Sequence, residues 1–295
     1  MKFNTIILTI GAAVCILAAA PLFAVYVIPR IGGGQTVGYP MIMPEIFFDG
    51  YGILIYDEDM QIFPTLNWYE APVLRALVPP AEFDPAMPWS VLTGKAYNYQ
   101  YGWDSQFLDE YTHPFPPSSG VWIKVLEQSN GLETYYRDGG YAPIFGTKDP
   151  NGIASPDIWY WNKGMRHNTY AVQEGFYGRF SAVYKVYLGN ILTGNELVDG
   201  LGNPLYESSI ITQRWMYPCP YILHGDVNSD CITDLYDFTL IADRWLSSNC
   251  SAPGWCDETD VDHNGAVGIA DAVTLSENWL IDCLELPLNS ACTPR

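Results

Sequence analysis

The sequence predicts a mainly β protein, an antiparallel β-sandwich, that ends in a small helical module made of two loop–helix repeats. Three observations support this fold class. Prolines recur through the first half of the chain and leave little room for long helices. Short runs of β-branched and aromatic residues alternate with Gly- and Asn-containing turns, as they do in sandwiches. A pattern that begins at Gly225 is repeated once before the C-terminus.

The clearest strand signal is the alternation of side chains from Arg179 to Leu188. The residues predicted to share one face of it are Phe180, Ala182, Tyr184, Val186 and Leu188. Further strands are predicted over Ile53 to Tyr56, Val121 to Leu126 and Ser208 to Tyr217.

Composition limits the classes of function. The chain has 295 residues, of which 48% are hydrophobic and 15% aromatic, so it can bury a sizeable core. Its formal net charge is −19. Nucleic acid is therefore excluded as a partner, because phosphate binding requires a basic face.

The N-terminus has the features of a secretory signal peptide. Lys2 precedes an uncharged apolar run from Ile6 to Ala20, and Ala24 supplies a small residue for cleavage. We expect a signal peptide over residues 1–24, with a retained anchor as the alternative. The mature protein is then expected to be secreted, at the cell surface or in the periplasm.

Cysteine usage agrees with export. Apart from Cys15, every cysteine lies near the C-terminus: Cys219, Cys231, Cys250, Cys256, Cys283 and Cys292. An even number in a small acidic module predicts a disulfide framework, and the sequence leaves the pairing open. Zinc is not favoured, because the region has no Cys-x-x-Cys pair.

Composition also divides the mature chain. We expect an N-terminal arm over residues 25–44 and a β-sandwich domain over residues 45–217. A Pro-rich linker over residues 218–224 and a C-terminal module over residues 225–295 follow. At the linker the chain changes from aromatic-rich and cysteine-free to acidic and cysteine-rich.

The two repeats of the C-terminal module are in register over their length. Asp226 and Asp260, like Trp245 and Trp279, are 34 positions apart. Oxygen-bearing side chains at loop positions 1, 3, 5 and 12 suit a hard cation, so we predict two calcium ions. The expected ligands of the first are Asp226, Asn228, Asp230, the Ile232 carbonyl, Asp234 and Asp237. Those of the second are Asp260, Asp262, Asn264, the Ala266 carbonyl and Asp271.

An amphipathic helix is predicted after each loop. Phe238, Ile241 and Trp245 recur at helical spacing after the first loop. The corresponding residues after the second loop are Ala272, Leu275 and Trp279.

This arrangement resembles the type I dockerin family, whose C-terminal modules consist of two calcium-loop-plus-helix repeats. The resemblance covers Gly225 to Leu280, about a fifth of the chain. It implies a module that needs calcium to fold, since clustered carboxylates repel one another until a cation bridges them. The Trp-Leu endings and the cysteines are similar to the dockerin-like tails of exported proteins from Planctomycetes-type bacteria.

Two features depart from the family pattern. Cys231 occupies loop position six, where Gly265 stands in the second loop. A left-handed turn at a non-Gly residue costs about 1–2 kcal/mol, and a disulfide from Cys231 to Cys250 or Cys256 is expected to offset it. Cellulosomal dockerins bind cohesin through positions ten and eleven, which here hold Leu235-Tyr236 and Ile269-Ala270. The expected partner is thus a cohesin-like protein or another cell-surface component.

The main domain offers several candidate residues. The alternating Tyr97, Tyr99, Tyr101 and Trp103 would all face one side of a strand, either as core, which is favoured, or as an exposed polysaccharide-binding face. His167 is expected to be a structural histidine rather than a metal ligand or general base. Carboxylates that could serve an enzyme, expected instead on a solvated surface, are Asp57, Glu58, Asp59, Asp104, Asp109 and Glu110.

The run from Trp159 to Val172 is similar to uncharacterised β-domains of exported proteins, and that likeness names no activity. The favoured hypothesis is a non-catalytic exported β-domain that a calcium-binding module attaches to a cell surface or extracellular complex, with a link to polysaccharide binding. The alternative is a carbohydrate-active enzyme, a glycoside hydrolase anchored through a dockerin. Two carboxylates facing each other across a cleft, about 5–10 Å apart, would favour the enzyme.

Overall fold

The computed structural model describes residues 25–30, 40–57, 59, 61–78, 81–105, 113–148 and 153–295. The predicted signal peptide, the Gly32–Gly34 run, Glu58, Asp109 and Glu110 lie outside these residues. The described chain is mainly β with several antiparallel sheets, as the sequence predicted, and it has three short helices where two were predicted.

Two antiparallel sheets form the body of the protein. The first has four strands in the order β10-β7-β12-β13, with bounds Ile158–Trp161, Ser119–Gln128, Gly178–Asn190 and Ser209–Tyr217. The second has the order β5-β11-β8-β9, with bounds Lys95–Asn98, Arg166–Gln173, Glu133–Tyr136 and Ala142–Phe145. The short strand β6, Gly102–Trp103, extends the second sheet by pairing with β11.

Short two-stranded pairs surround this body. Strand β1, Val25–Val27, runs parallel to β4, Ala81–Phe83, and β2, Glu45–Phe48, is antiparallel to β3, Ile53–Tyr56. In the C-terminal module, β14, Tyr221–Ile222, pairs with β15, Thr293–Pro294. The helices are α1, α2 and α3, with bounds Leu235–Asp243, Trp255–Glu258 and Ile269–Glu277.

The main core lies between the two large sheets, and aromatic rings join them. Tyr184 of β12 meets Trp103 of β6 at 5.9 Å between ring centroids. Trp215 of β13 packs against Tyr170 of β11 at 4.3 Å and against Tyr101 at 5.2 Å. Because aromatic pairs at such separations add to the free energy of burial, these contacts fasten one sheet to the other.

The predicted alternation in the long strand is confirmed. Phe180, Ala182, Tyr184, Val186 and Leu188 of β12 are all buried in this core. Strand β12 is longer than predicted at both ends because β7 and β13 supply hydrogen-bonding partners along most of it.

The tyrosines around β5 differ from the prediction that one side of a single strand holds them all. They are core residues, but Tyr97 and Tyr99 belong to a second cluster, whereas Tyr101 and Trp103 lie between the sheets. The strand stops at Asn98, whose Oδ1 accepts a hydrogen bond from Gln100 N at 2.7 Å. This local turn breaks the alternation and sends the later rings to the opposite side.

None of the helices in the described part of the chain has the length and apolarity that a membrane-crossing helix needs.

Removing the largest ring at the junction of the sheets should be costly. We expect Trp215→Ala to lower the free energy of unfolding by about 3–5 kcal/mol, because it leaves a cavity beside Tyr101 and Tyr170. The control is Trp279→Ala, at a side chain that is 42% exposed, for which the loss should stay under about 1 kcal/mol. Equal losses in chemical denaturation of the two variants would contradict this account of the core.

Candidate metal centre

The two acidic loops have matching hydrogen bonds at each corresponding position. The carboxylate at position one accepts from the backbone of positions five and six. Asp226 accepts from Asp230 N and Cys231 N, both at 3.0 Å. Asp260 accepts from Asn264 N at 3.1 Å and Gly265 N at 2.9 Å. Each loop is thus wrapped around its first carboxylate.

The carboxylate at position twelve closes each loop from the first turn of the following helix. One oxygen of Asp237 accepts from Val227 N at 2.8 Å, and the other accepts from Asp234 N at 2.9 Å. Asp271 repeats the pattern with Val261 N and Gly268 N, both at 2.7 Å. Both closing carboxylates are buried, so the start and the end of each loop are held together.

The side chains at positions three and five complete the polar lining of each loop. The Asn228 amide donates to Asp230 at 2.7 Å, and the Asn264 amide donates to Asp262 at the same distance. The amide and the carboxylate have exchanged positions between the loops, and the hydrogen bond is kept. Asp234 has an additional structural use, because its side chain caps α1 by accepting from Tyr236 N at 2.7 Å.

The carboxylates of the second loop lie close together, and those at positions one and twelve of both loops are shielded from water, whereas Asp262 is exposed. One ligand oxygen from each of Asp260, Asp262 and Asp271 lies within 4.8 Å of the others. In the first loop, burial and then the neighbouring charges of Asp237 and Asp230 raise the pKa of Asp226 to about 7. Burial likewise raises the pKa of Asp237 to about 6 and that of Asp260 above its usual value.

The donor set fits calcium. Every candidate side-chain ligand is a carboxylate or amide oxygen, as hard cations prefer, and the crowded anions need a positive charge to remain ionised together. Ile232 and Ala266 stand at position seven, where a backbone carbonyl completes such a loop. A bound ion would supply charge neutralisation and hold the loop closed.

The backbone at position six has the predicted conformation, but the predicted disulfide is wrong. Cys231 has φ of 80° and Gly265 has φ of 96°, so both are left-handed. Cys231 is bonded to Cys219 in the linker, whereas Cys250 pairs with Cys256 and Cys283 with Cys292. The linker passes directly beside the first loop, as shown by the 3.0 Å hydrogen bond from Cys219 N to Ser229 O, and this proximity selects the pairing.

Each repeat is hydrogen-bonded to the loop of the other repeat. The segment after α1 reaches the second loop, where Leu246 N donates to Val267 O at 3.0 Å. The segment after α3 reaches the first loop, where Leu280 N donates to Thr233 O at 2.8 Å. Because each helix is followed by a bond to the other repeat's loop, the two loops are structurally coupled.

The buried face of each helix contains fewer residues than the sequence predicted. Ile241 and Leu275 are buried in the core of the module, but Trp245 and Trp279 are each 42% exposed. Helix α1 ends at Asp243 and α3 at Glu277, so both tryptophans lie beyond the helical register. Phe238 is also largely exposed, and Ala272 is half-buried.

The module is packed against the β-sandwich through Arg179, which sequence analysis did not single out. Its guanidinium donates to Asp257 O at 3.1 Å and lies 5.1 Å from the centre of the Trp68 ring. Burial lowers the pKa of Arg179 to about 10, although the negative charges of Glu258 and Asp257 act to raise it. Nearby, a Cβ on Gly254 would lie 2.4 Å from the Tyr69 ring, so glycine permits the close contact. These contacts join the C-terminal module to the β-sandwich.

The remaining candidates lie elsewhere in the fold. Nδ1 of buried His167 is 2.9 Å from Tyr99 O, and burial lowers the pKa of the imidazole. A carboxylate oxygen of Asp57 accepts from Asp59 N at 3.0 Å and from Gln61 N, which is typical of a turn. Asp104 is buried beside β6, and its side chain accepts from Ser105 N at 2.8 Å. The structure does not bring these residues together with the acidic loops.

Comparisons with known proteins leave the family open. No family model matches the chain, and no curated protein matches it. One solved structure is similar, a type II cohesin–X–dockerin complex from Acetivibrio cellulolyticus, at 11% identity over 57% of this chain and 86% of that chain. Its TM-score of 0.17 is too low to support an argument about fold or function.

The left-handed backbone at position six gives a matched stability test. We expect Cys219→Ala/Cys231→Gly to be more stable than Cys219→Ala/Cys231→Ala by about 1 kcal/mol, since only glycine adopts a φ of 80° without steric cost. Both variants lack the same disulfide. The difference between their free energies of unfolding, measured by calorimetry with excess calcium, therefore reports the cost of a left-handed backbone at a residue other than glycine. A more stable alanine variant would contradict a left-handed turn at this position.

Burial of His167 predicts an acid-sensitive contribution to stability. Its folded pKa is lowered from 6.5, so this contribution is fully present above about pH 6.5 and is lost as the pH falls toward the folded pKa. We expect the free energy of unfolding of His167→Gln to depend less steeply on pH below 6.5 than that of the wild type. The free energy of unfolding of both proteins is measured by urea denaturation at saturating calcium. If it depends on pH equally in the two proteins, the protonation of His167 does not change on unfolding and the prediction is wrong.

Proposed function

We propose that the chain is an exported attachment protein whose C-terminal module, residues 225–295, folds around two calcium ions. The observation that carries the proposal is the set of matching hydrogen bonds that holds the carboxylates of positions one and twelve at equivalent places in both loops. Hydrogen bonding alone does not explain why so many acids converge, because their charges oppose folding. Two cations would remove that opposition, and the module's stability would then depend on extracellular calcium.

The partner in this proposal is a protein, such as a cohesin-like or other cell-surface component. The support is a repeated apolar surface at the two helix beginnings and ends. Leu235 and Ile269 are exposed at equivalent positions, as are Leu246 and Leu280. Exposed apolar side chains at related positions, next to the exposed Trp245 and Trp279, are typical of a docking surface.

Export and a non-catalytic role for the β-sandwich belong to the same proposal. The three disulfides of the structure are compatible with an oxidising compartment. They close the linker, the segment between the repeats and the C-terminal loop, and so brace the module around the loops. The β-sandwich would be the part of the protein that the module attaches to a surface or complex.

Calorimetric titration of the full chain, freed of metal by chelator, tests the proposal. We expect two calcium ions per chain for the wild type and one for Asp237→Ala or Asp271→Ala, because each substitution removes the carboxylate that closes one loop. At calcium 100 times the dissociation constant, linkage should stabilise the fold by about 2.7 kcal/mol per site.

The matched control is Asp243→Ala, which removes an exposed carboxylate at the end of α1 and should leave both sites intact. Absence of calcium-binding heat, together with an unchanged unfolding temperature after chelation, would refute the calcium proposal. Retention of two sites in both loop variants would refute the assignment of these ligands.

A further inference from the structure

The outer face of the four-stranded sheet has a cleft that the acidic loops do not explain. It has a volume of about 380 Å³ and lies over the side chains of β7, β10 and β12. The turn from Gly194 to Glu196 forms one wall. A cleft of this size, with a few convergent polar groups, has the dimensions of a small-ligand site.

Strand register arranges the outer face in two rows. Tyr160, Trp122 and Tyr187 are paired across β10, β7 and β12 and form an aromatic row. The next row places Ile158, Lys124 and Lys185 across the same strands, beneath the cleft. Of the aromatic row only Tyr187 lines the cleft, so the polar row supplies most of its floor.

Glycines allow the aromatic rings to lie close to the backbone. A Cβ on Gly120 would come within 2.6 Å of the Tyr160 ring. A Cβ on Gly189 would lie 2.9 Å from the indole of Trp122, and one on Gly194 would lie 3.2 Å from it. The close fit holds Trp122 and Tyr160 in defined positions, with their ring centroids 5.3 Å apart.

The charged groups of the cleft balance one another. Lys124 lies 3.3 Å from Asp157, and Lys185 lies 2.7 Å from Glu196. The lining therefore carries two positive and two negative charges, with Asn195 as an uncharged polar neighbour. A neutral lining of this kind does not select polyanions or polycations, but it supplies acceptors and donors at short range.

Two buried polar atoms of this face have no hydrogen-bond partner among the described residues. One is Oε1 of Glu196, whose other carboxylate oxygen accepts from Lys185. The other is Nε1 of Trp122, whose bonded neighbour Cδ1 lies against Gly189. A buried carboxylate oxygen without a donor is costly. Glu196 lines the cleft, so a rotation of its side chain that turned Oε1 toward the cleft would let a ligand donate a hydrogen bond to it.

We propose that this cleft binds a neutral oligosaccharide, with a sugar hydroxyl donating to the Glu196 carboxylate once its side chain turns toward the cleft. Sugar hydroxyls both donate and accept, which matches the paired carboxylates and ammonium groups, and the apolar face of a pyranose ring packs against Ile158 and Leu126. An extended peptide is a poorer fit, because β7 and β12, two of the three strands under the cleft, are paired on both sides and only β10 lies at the edge of the sheet. The proposal is independent of calcium binding by the C-terminal module.

The test titrates the full, calcium-saturated chain with cellohexaose, xylohexaose, mannohexaose and laminarihexaose by calorimetry. At least one of them should bind, and Glu196→Gln should weaken its affinity about tenfold, since a hydrogen bond to a charged group is removed without a change of shape. Glu127→Gln, at an exposed carboxylate of β7 outside the cleft, is the matched control and should bind as the wild type does.

A second measurement does not depend on the variant. Hydrogen exchange of the wild type with the bound saccharide should show protection over residues 122–126 and 194–196. Failure of all four saccharides to bind at millimolar concentration would overturn the proposal. Protection confined to another surface, or unchanged affinity of a folded Glu196→Gln variant, would overturn it equally.

Discussion

The mutual repulsion of carboxylates in the two loops is the constraint on which the C-terminal module depends. Asp226 and Asp237 are held close together by backbone donors, and burial raises the pKa of both. The helices begin at these loops, so a loop that opened would release the first turn of its helix. The proposal of two calcium ions follows from this arrangement, because an ion would neutralise the acids and retain the backbone hydrogen bonds.

The coupling of the loops extends to the β-sandwich. Each helix is followed by a bond to the opposite loop, and the Cys219–Cys231 disulfide ties the first loop to the segment that follows β13. Arg179 of β12 then donates a hydrogen bond to Asp257 of α2. A module docked in this way would transmit changes in a loop to the sandwich, which a module on a flexible linker would not do.

Local patterns predicted the parts of the fold whose chemistry is local. Alternation from Arg179 to Leu188 predicted a strand with one buried face, because neighbouring side chains of a strand point to opposite sides. It failed at Tyr97 to Trp103, where an Asn98 turn interrupts the strand and divides the rings between two clusters. Local patterns also could not locate the cleft beside Glu196, because its lining residues come from three different strands.

The sequence by itself determined the mainly β class, the two acidic loops and the left-handed position at Cys231, since each depends on residue types at short, fixed spacing. Only the tertiary structure decided the disulfide partner of Cys231, the exposure of Trp245 and the contact between Arg179 and the C-terminal module. The physical reason is that these features depend on which distant segments meet, and their energies arise only when both segments are in place.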